Sequence, residues 1–296
     1  MIALLASACS LPGAWVRVGR GKLWVRSARE GRGRPLLFVH GLGRGGAQLV
    51  PLALAFAAVR NPLVPDLFDL GGKSASRAGT TNVEEHAASL AELTDGYGPV
   101  DVVGVSLGGW IATALAAHYP ERVRTLFLVN PAGVRHDAEA TESLFRETAR
   151  APELYRRVVR GRPFLGVPLL SQAVERGFLH ALCTRETTSF LDSVESTHFV
   201  DAFVDRVTCP TFLVLSEADQ LLRPEATAAT YRRGVHDLSG VWVEGASHNL
   251  GYEAPETLLR LLSTFLGHPQ ALTTPVARLA RHLRTPPALR SLTVAS

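Results

Sequence analysis

The chain has 296 residues, of which 46% are hydrophobic and 20% charged, with a mean hydropathy of +0.12; these values exclude a disordered or collagen-like chain and describe a globular protein with room for one large core. The formal net charge of +4 comes almost wholly from arginine, because Lys22 and Lys73 are the only lysines, and it is too mild to imply nucleic acid as a partner. Three scattered cysteines, Cys9, Cys183 and Cys209, exclude a disulfide framework and a CxxC metal cage, so no metal is expected.

Residues 1–16 stand apart. Met1 to Ala8 is apolar and small, and Ala6-Ser7-Ala8-Cys9 resembles the end of a bacterial lipoprotein signal, in which the cysteine is lipidated and anchors the chain. The basic segment that normally precedes such a signal is missing and the apolar part is short. A frayed N-terminus is therefore the favoured reading, and a cytoplasmic location is favoured over a membrane-anchored lipoprotein.

From Leu23 onward the pattern is strand, turn, helix, repeated. Leu23 to Ser27 alternates like a half-buried strand, and Pro35 to His40 is an apolar run ending before glycine, as expected of a strand buried on both faces. Leu49 to Val59 is about half the length needed to cross a bilayer and reads as a buried helix. Further strands are expected at Pro62 to Leu67, Val100 to Val105, Thr125 to Val129, Thr211 to Leu215 and Val241 to Val243. Such alternation predicts a mostly parallel sheet with helices on both faces, which places functional residues just beyond the carboxyl ends of the strands.

The period breaks between 135 and 207, where helical spacing dominates and a helical insertion is expected. Arg156, Arg157, Arg160 and Arg162 within it read as a solvated helix face. The core is then 17–134 with 208–266. Residues 267–296 contain four prolines and no acid; they are expected to form a solvated basic tail, with a short membrane-surface helix through Val276, Leu279 and Leu283 as the rival.

Gly104-Val105-Ser106-Leu107-Gly108 is a GxSxG whose weight lies in its placement. Val100 to Val105 precedes it as a strand and Gly109 to Leu115 follows as a helix, so Ser106 falls on a sharp strand-to-helix turn. Gly104 and Gly108 leave the space such a turn requires. A serine nucleophile needs a base, and His248 lies in the loop leaving the Val241 to Val243 strand. The acid that orients the base should follow the strand before that; Asp219 is the first choice and Glu217 the rival. Asn130, at the end of the Thr125 to Val129 strand, carries no charge. An oxyanion hole requires two backbone N–H groups: Leu107, which follows the serine, supplies one, and Leu42 in His40-Gly41-Leu42-Gly43 supplies the other. His40 and Gly41 are read as bracing that loop. The Gly71-Gly72-Lys73-Ser74 run is no phosphate cradle, because a P-loop requires glycine where Leu67 stands.

FVHG at 38–41, GVSLGG at 104–109, the later aspartate and the final histidine resemble the α/β-hydrolase superfamily over roughly Leu23 to Leu266. Within it, the stretch from Gly104 to Gly133 looks like the capped serine esterases and lipases. The resemblance implies an α/β-hydrolase fold with a helical cap at 135–207 after the sixth strand, and a Ser106-His248-Asp219 triad cleaving carboxylic esters through an acyl-enzyme without a cofactor. The substrate implied is a small-molecule ester, and Phe164, Leu165, Val167, Leu169, Leu170, Phe178 and Phe190 in the cap suit one with an apolar group. Two alternatives remain open: carbon-carbon bond hydrolysis or cofactor-free perhydrolysis on the same triad, and a non-catalytic hydrolase-like binding protein. One departure is local: Pro65 to Ser74 differs from the DLPGHGxS loop usual in such proteins.

Overall fold

The computed structural model describes residues 11–28, 33–42, 45–77, 79, 81–135, 190, 192–219, 221–274 and 287–292. Nine strands form one sheet: β1 Gly13–Val18, β2 Gly21–Ser27, β3 Pro35–Val39, β4 Asn61–Pro65, β5 Val100–Val105, β6 Val123–Val129, β7 Thr211–Ser216, β8 Leu238–Val243 and β9 Leu289–Ser291. Their spatial order is β1-β2-β4-β3-β5-β6-β7-β8-β9. The strands from β4 to β8 pair in parallel, while β1, β2 and β9 run antiparallel to their neighbours.

The described α-helices are α1 Val50–Phe56, α2 Val83–Leu93, α3 Leu107–His118, α4 Pro224–Gly234, α5 Leu250–Glu253 and α6 Pro255–Phe265. They divide the core into two layers. Residues of α2, α3 and α4 pack on one face of the sheet with Leu37, Val39, Leu126 and Leu213, and residues of α1 and α6 pack on the other with Leu36, Phe38, Phe127 and Val214. This explains the unbroken apolar runs, because successive side chains of a strand point to opposite faces and both faces are covered. Leu107 to Ala117 of α3 is buried throughout, so its hydrophobicity runs around the whole helix. α2 begins with a capping box, in which Asn82 accepts from the Glu85 amide and the Glu85 carboxylate accepts from the Asn82 amide, at 2.9 Å each.

At the amino ends of the parallel strands, the buried Asp101 carboxylate accepts from Arg60, from Arg124 (2.6 Å) and from Thr125 Oγ1 (2.6 Å). Arg60 also donates to the carbonyl of Arg34 (2.9 Å) and meets His268 Nε2 at 3.2 Å. The entries to β3, β4, β5 and β6 are thus tied to one carboxylate. Burial, with Arg124 and Arg34 nearby, pushes the Arg60 guanidinium down to about 10.

Three expected boundaries move. Gly13–Val16, assigned to a frayed N-terminus, belongs to β1, where the hairpin through Gly21 supplies backbone partners. Val200 to Val207, assigned to the insertion, forms short 3₁₀ turns whose Val200, Phe203 and Val204 enter the α3 layer of the core. The segment assigned to a solvated tail contributes Ala271 to the core and β9 to the sheet edge. There Arg290 lies 5.2 Å from the Trp242 ring centroid, a cation-aromatic contact that favours docking. The rest of the expected insertion (136–189 and 191), including its arginine cluster and apolar residues other than Phe190, lies outside the described residues, as do Cys9 and the Val276, Leu279 and Leu283 stripe. Among the described residues no helix is long and apolar enough to cross a membrane.

Replacing Asp101 with alanine strands Arg60 in the interior without its anionic acceptor. The expected loss is about 3–5 kcal/mol, the cost of breaking a buried pair from one side. Urea unfolding of Asp101→Ala beside wild type measures it; a loss below about 1 kcal/mol, the ceiling for an exposed pair, would show that the network carries little of the stability.

Candidate active site

The register aligns the carboxyl ends of the central strands. Val39 lies opposite Gly104, Val105 opposite Val129, Val129 opposite Val214 and Ser216 opposite Val243. The residues leaving these strands, His40, Ser106, Asn130, Glu217 and Glu244, therefore share one rim.

Ser106 has φ 55° and ψ −122°, a conformation costly for any residue with a Cβ. Its amide donates to the Val129 carbonyl (3.0 Å), and its own carbonyl accepts from Gly109 (2.8 Å), Trp110 (3.2 Å) and Ala132 (3.0 Å). A Cβ on Gly104 would lie 2.7 Å from the Gly108 carbonyl, and one on Gly108 would lie 2.2 Å from that of Val39. Glycine is required at both positions by close approach of backbone to backbone.

The Ser106 hydroxyl lies 2.9 Å from His248 Nε2, and His248 Nδ1 lies 2.7 Å from Asp219 Oδ2. The carboxylate accepts at Nδ1–H, which leaves Nε2 as the acceptor for the serine proton. Asp219 Oδ1 accepts from the amides of Leu221 (2.9 Å) and Leu222 (3.0 Å). Both oxygens are held, and the carboxylate is 1% exposed. Glu217 turns away: its carboxylate accepts from the Gly245 amide at 3.2 Å and meets Arg290 at 3.7 Å.

Several supporting residues escaped sequence reasoning. Asn130, seen there only as an uncharged strand end, donates through Nδ2 to Ser216 Oγ (2.8 Å) and to the His248 carbonyl (2.9 Å), while its Oδ1 accepts from the Ser216 amide (2.8 Å). Its φ of 43° suits asparagine, which tolerates the left-handed region better than most residues. Glu253 accepts from the Ser247 amide (2.8 Å) and hydroxyl, which fixes the histidine loop from the other side. The Leu67 amide donates to His40 Nε2 (2.9 Å), so the His40 proton sits on Nδ1 and is donated to the Gly41 carbonyl (2.7 Å). Complete burial lowers the His40 pKa and keeps the ring neutral. Leu107 follows Ser106 and Leu42 follows Gly41, which packs against the serine turn, and among the described residues neither amide donates a hydrogen bond.

The unusual Pro65 to Ser74 loop is organised by Asp66, which is fully buried. It accepts from Arg26 Nη1 (2.6 Å), the Gly46 amide (2.7 Å) and the Lys73 amide (2.8 Å). The Lys73 ammonium lies 4.1 Å above the Trp24 ring. Burial alone would raise the Asp66 carboxyl; its bonds to Arg26 and to the two amides outweigh that and hold it below the usual carboxylate range. Phe190, within the expected cap, packs near Trp110 with ring centroids 6.3 Å apart, and Trp110 stacks on Phe199 at 5.7 Å. Among the described residues no cluster of three or more histidine, cysteine or acidic side chains could hold a metal ion.

The strand order, the strained serine turn and the rim residues define an α/β-hydrolase, and the sequence profile of the alpha/beta hydrolase family matches residues 36–261. The chain belongs to that family. It is 29% identical over 213 residues to Lipase 3 of Moraxella sp. (strain TA144), a match covering 66% of this chain and 65% of the lipase. Over 111 residues it is 34% identical to 2-hydroxymuconate semialdehyde hydrolase of Pseudomonas sp. (strain CF600), covering 36% of this chain and 39% of that enzyme. The solved carboxylesterase CesB of Bacillus subtilis superposes with a TM-score of 0.73 at 19% identity, over 87% of this chain and 92% of that one. That likeness is one of fold.

Two outcomes follow. Gly108→Ala requires the Val39 carbonyl to move and is expected to lower the melting temperature by 10 °C or more, on the order of 3 kcal/mol or above, whereas Gly251→Ala, whose nearest neighbour would be 3.9 Å away, should change it little. Equal melting temperatures would refute the crowding argument. The folded Asp66 pKa is depressed, so its contribution is complete above the unfolded value of about 3.9 and is lost as pH falls through the folded one. In urea melts, the stability gap between wild type and Asp66→Asn should narrow below about pH 4; a gap constant to pH 2 would contradict the assignment.

Proposed function

We propose that the protein is a serine hydrolase of carboxylic esters, esterase- or lipase-like, working through an acyl-enzyme. The observation that carries this reading is the continuous hydrogen-bond path from Ser106 Oγ through His248 to Asp219 (2.9 and 2.7 Å) on a strained turn at the strand rim. Ser106 Oγ attacks the ester carbonyl carbon as its proton passes to His248 Nε2, while Asp219 holds the ring and stabilises the imidazolium. The amides of Leu42 and Leu107 donate hydrogen bonds to the carbonyl oxygen as negative charge develops on it. Collapse of the tetrahedral species breaks the bond to the alkoxy oxygen, which leaves as alcohol with the proton from His248. Water then loses a proton to His248 as it attacks the acyl carbon, and collapse of the second tetrahedral species breaks the bond to Ser106 Oγ, releases the acid and returns the proton from His248 to Ser106.

A small-molecule ester with an apolar acyl or alcohol part is the proposed substrate, supported by the apolar cluster in which Leu42, Leu107, Trp110, Phe190 and Phe199 pack around the start of α3. The similarity to a semialdehyde hydrolase over about a third of the chain supports a second reading, carbon-carbon bond hydrolysis on the same three residues.

A panel of nitrophenyl esters of rising chain length tests the first reading. Wild type should turn over at least one of them, with Ser106→Ala reduced by a factor on the order of 10⁴ or more. Asp219→Asn should cost up to about 10⁴ in kcat and Glu217→Gln less than about threefold, the span of an ordinary surface change. Ester hydrolysis alike in wild type and Ser106→Ala would overturn the assignment; silence on every ester, with turnover of a vinylogous diketone, would favour the second reading.

A further inference from the structure

We propose that Gln48, together with His40, positions the Gly41–Leu42 peptide so that its N–H can serve as an oxyanion donor. The inference rests on the ester hydrolysis proposed at Ser106 and names a part of that machinery for which the sequence carries no motif.

The Gly41–Leu42 peptide is one planar group. Every peptide bond in the described chain is trans, so the Gly41 carbonyl and the Leu42 amide point from opposite edges of the same plane. Whatever holds the carbonyl aims the N–H. Two donors hold it: His40 Nδ1–H at 2.7 Å and Gln48 Nε2–H at 3.0 Å. The Gly41 backbone is pressed against the serine turn, since a Cβ at 41 would lie 3.1 Å from Ser106 Cβ and 3.7 Å from its Oγ. The Leu42 N–H, with no acceptor among the described residues, is the donor left over.

Both donors are themselves anchored to the chain leaving β4. The Leu67 amide occupies His40 Nε2, which fixes both ring and tautomer. Gln48 lies in the 3₁₀ turn Gly45–Leu49, and the Gly46 amide of that turn is held by Asp66 at 2.7 Å. A carbonyl that accepts two hydrogen bonds also polarises its own amide, which makes the Leu42 N–H a stronger donor to a developing negative charge. Positioning of this kind lowers the barrier without tightening the ground state, so its loss should fall on kcat and leave KM alone.

The test compares Gln48→Ala and Gln48→Glu with wild type and Ser106→Ala on the best nitrophenyl ester. Gln48→Ala should lose about tenfold in kcat, the effect of one hydrogen bond, with KM changed less than about twofold, and should weaken an aryl trifluoromethyl ketone inhibitor by the same factor as kcat/KM. Glutamate at 48 donates only when protonated, so the ratio of Gln48→Glu to wild-type kcat should rise as pH falls from 8 toward 5. Thermal melts and labelling of Ser106 by a fluorophosphonate accompany each variant, to separate a folding defect from a positioning one. A kcat for Gln48→Ala within twofold of wild type, a loss confined to KM, or a pH-independent Gln48→Glu ratio would overturn the proposal. Absence of Ser106-dependent turnover or labelling in wild type would instead overturn the ester reading on which it rests.

Discussion

The backbone of Ser106 is the constraint around which the rim is arranged. Its φ of 55° and ψ of −122° cost about 1–3 kcal/mol and persist because the surroundings allow nothing else. The Val129 carbonyl holds its amide, three amides converge on its carbonyl, and the flanking glycines sit where a methyl group would strike backbone. Without the parallel register that brings Val105 level with Val129, and Val39 level with Gly104, none of these contacts could form. The turn is thus a product of the whole sheet, although it is written in five residues.

Around it, polar contacts link segments distant in sequence. The loop after β7 is joined to the end of β8 and to its following loop by backbone bonds from Glu217 to Val243 (3.1 Å) and from Ala218 to Ala246 (2.9 Å), so the segments carrying Asp219 and His248 form one unit. Asn130 ties the end of β6 to that unit through its side-chain amide. On the other side, Asp66 joins Arg26, Gly46 and Lys73, and through Gly46 reaches the turn that carries Gln48. Buried ion pairs seldom add net stability over apolar packing, and breaking one from a single side is costly. Here each couples the exits or entries of several strands.

The parts legible in the sequence were those with a local physical signature. Runs such as Pro35 to Val39 declare a strand covered on both faces, and glycines at 104 and 108 declare a turn with no room for a side chain. The family resemblance set Ser106, Asp219 and His248 in order, and the distances among them are short. What stayed hidden was set by long-range contact. β1 is half exposed and β9 wholly so, so neither shows the buried alternation that marks a strand. Gln48 and Asp66 look like ordinary polar residues until the fold places each beside backbone amides or carbonyls from another loop. The short 3₁₀ turns from Val200 to Arg206 read as part of an insertion because helical spacing alone does not say which layer they join.

The closing of the sheet by β9 bears on how the chain is made. β8 is flanked on its outer side by residues 289–291, about forty-six positions beyond its own last residue, Val243. During synthesis, β8 can dock against β7 well before its other side is covered. For that interval a row of unpaired backbone groups, with Trp242 beside it, stands open to a neighbouring nascent chain. The three-residue strand that arrives last is therefore what covers that edge.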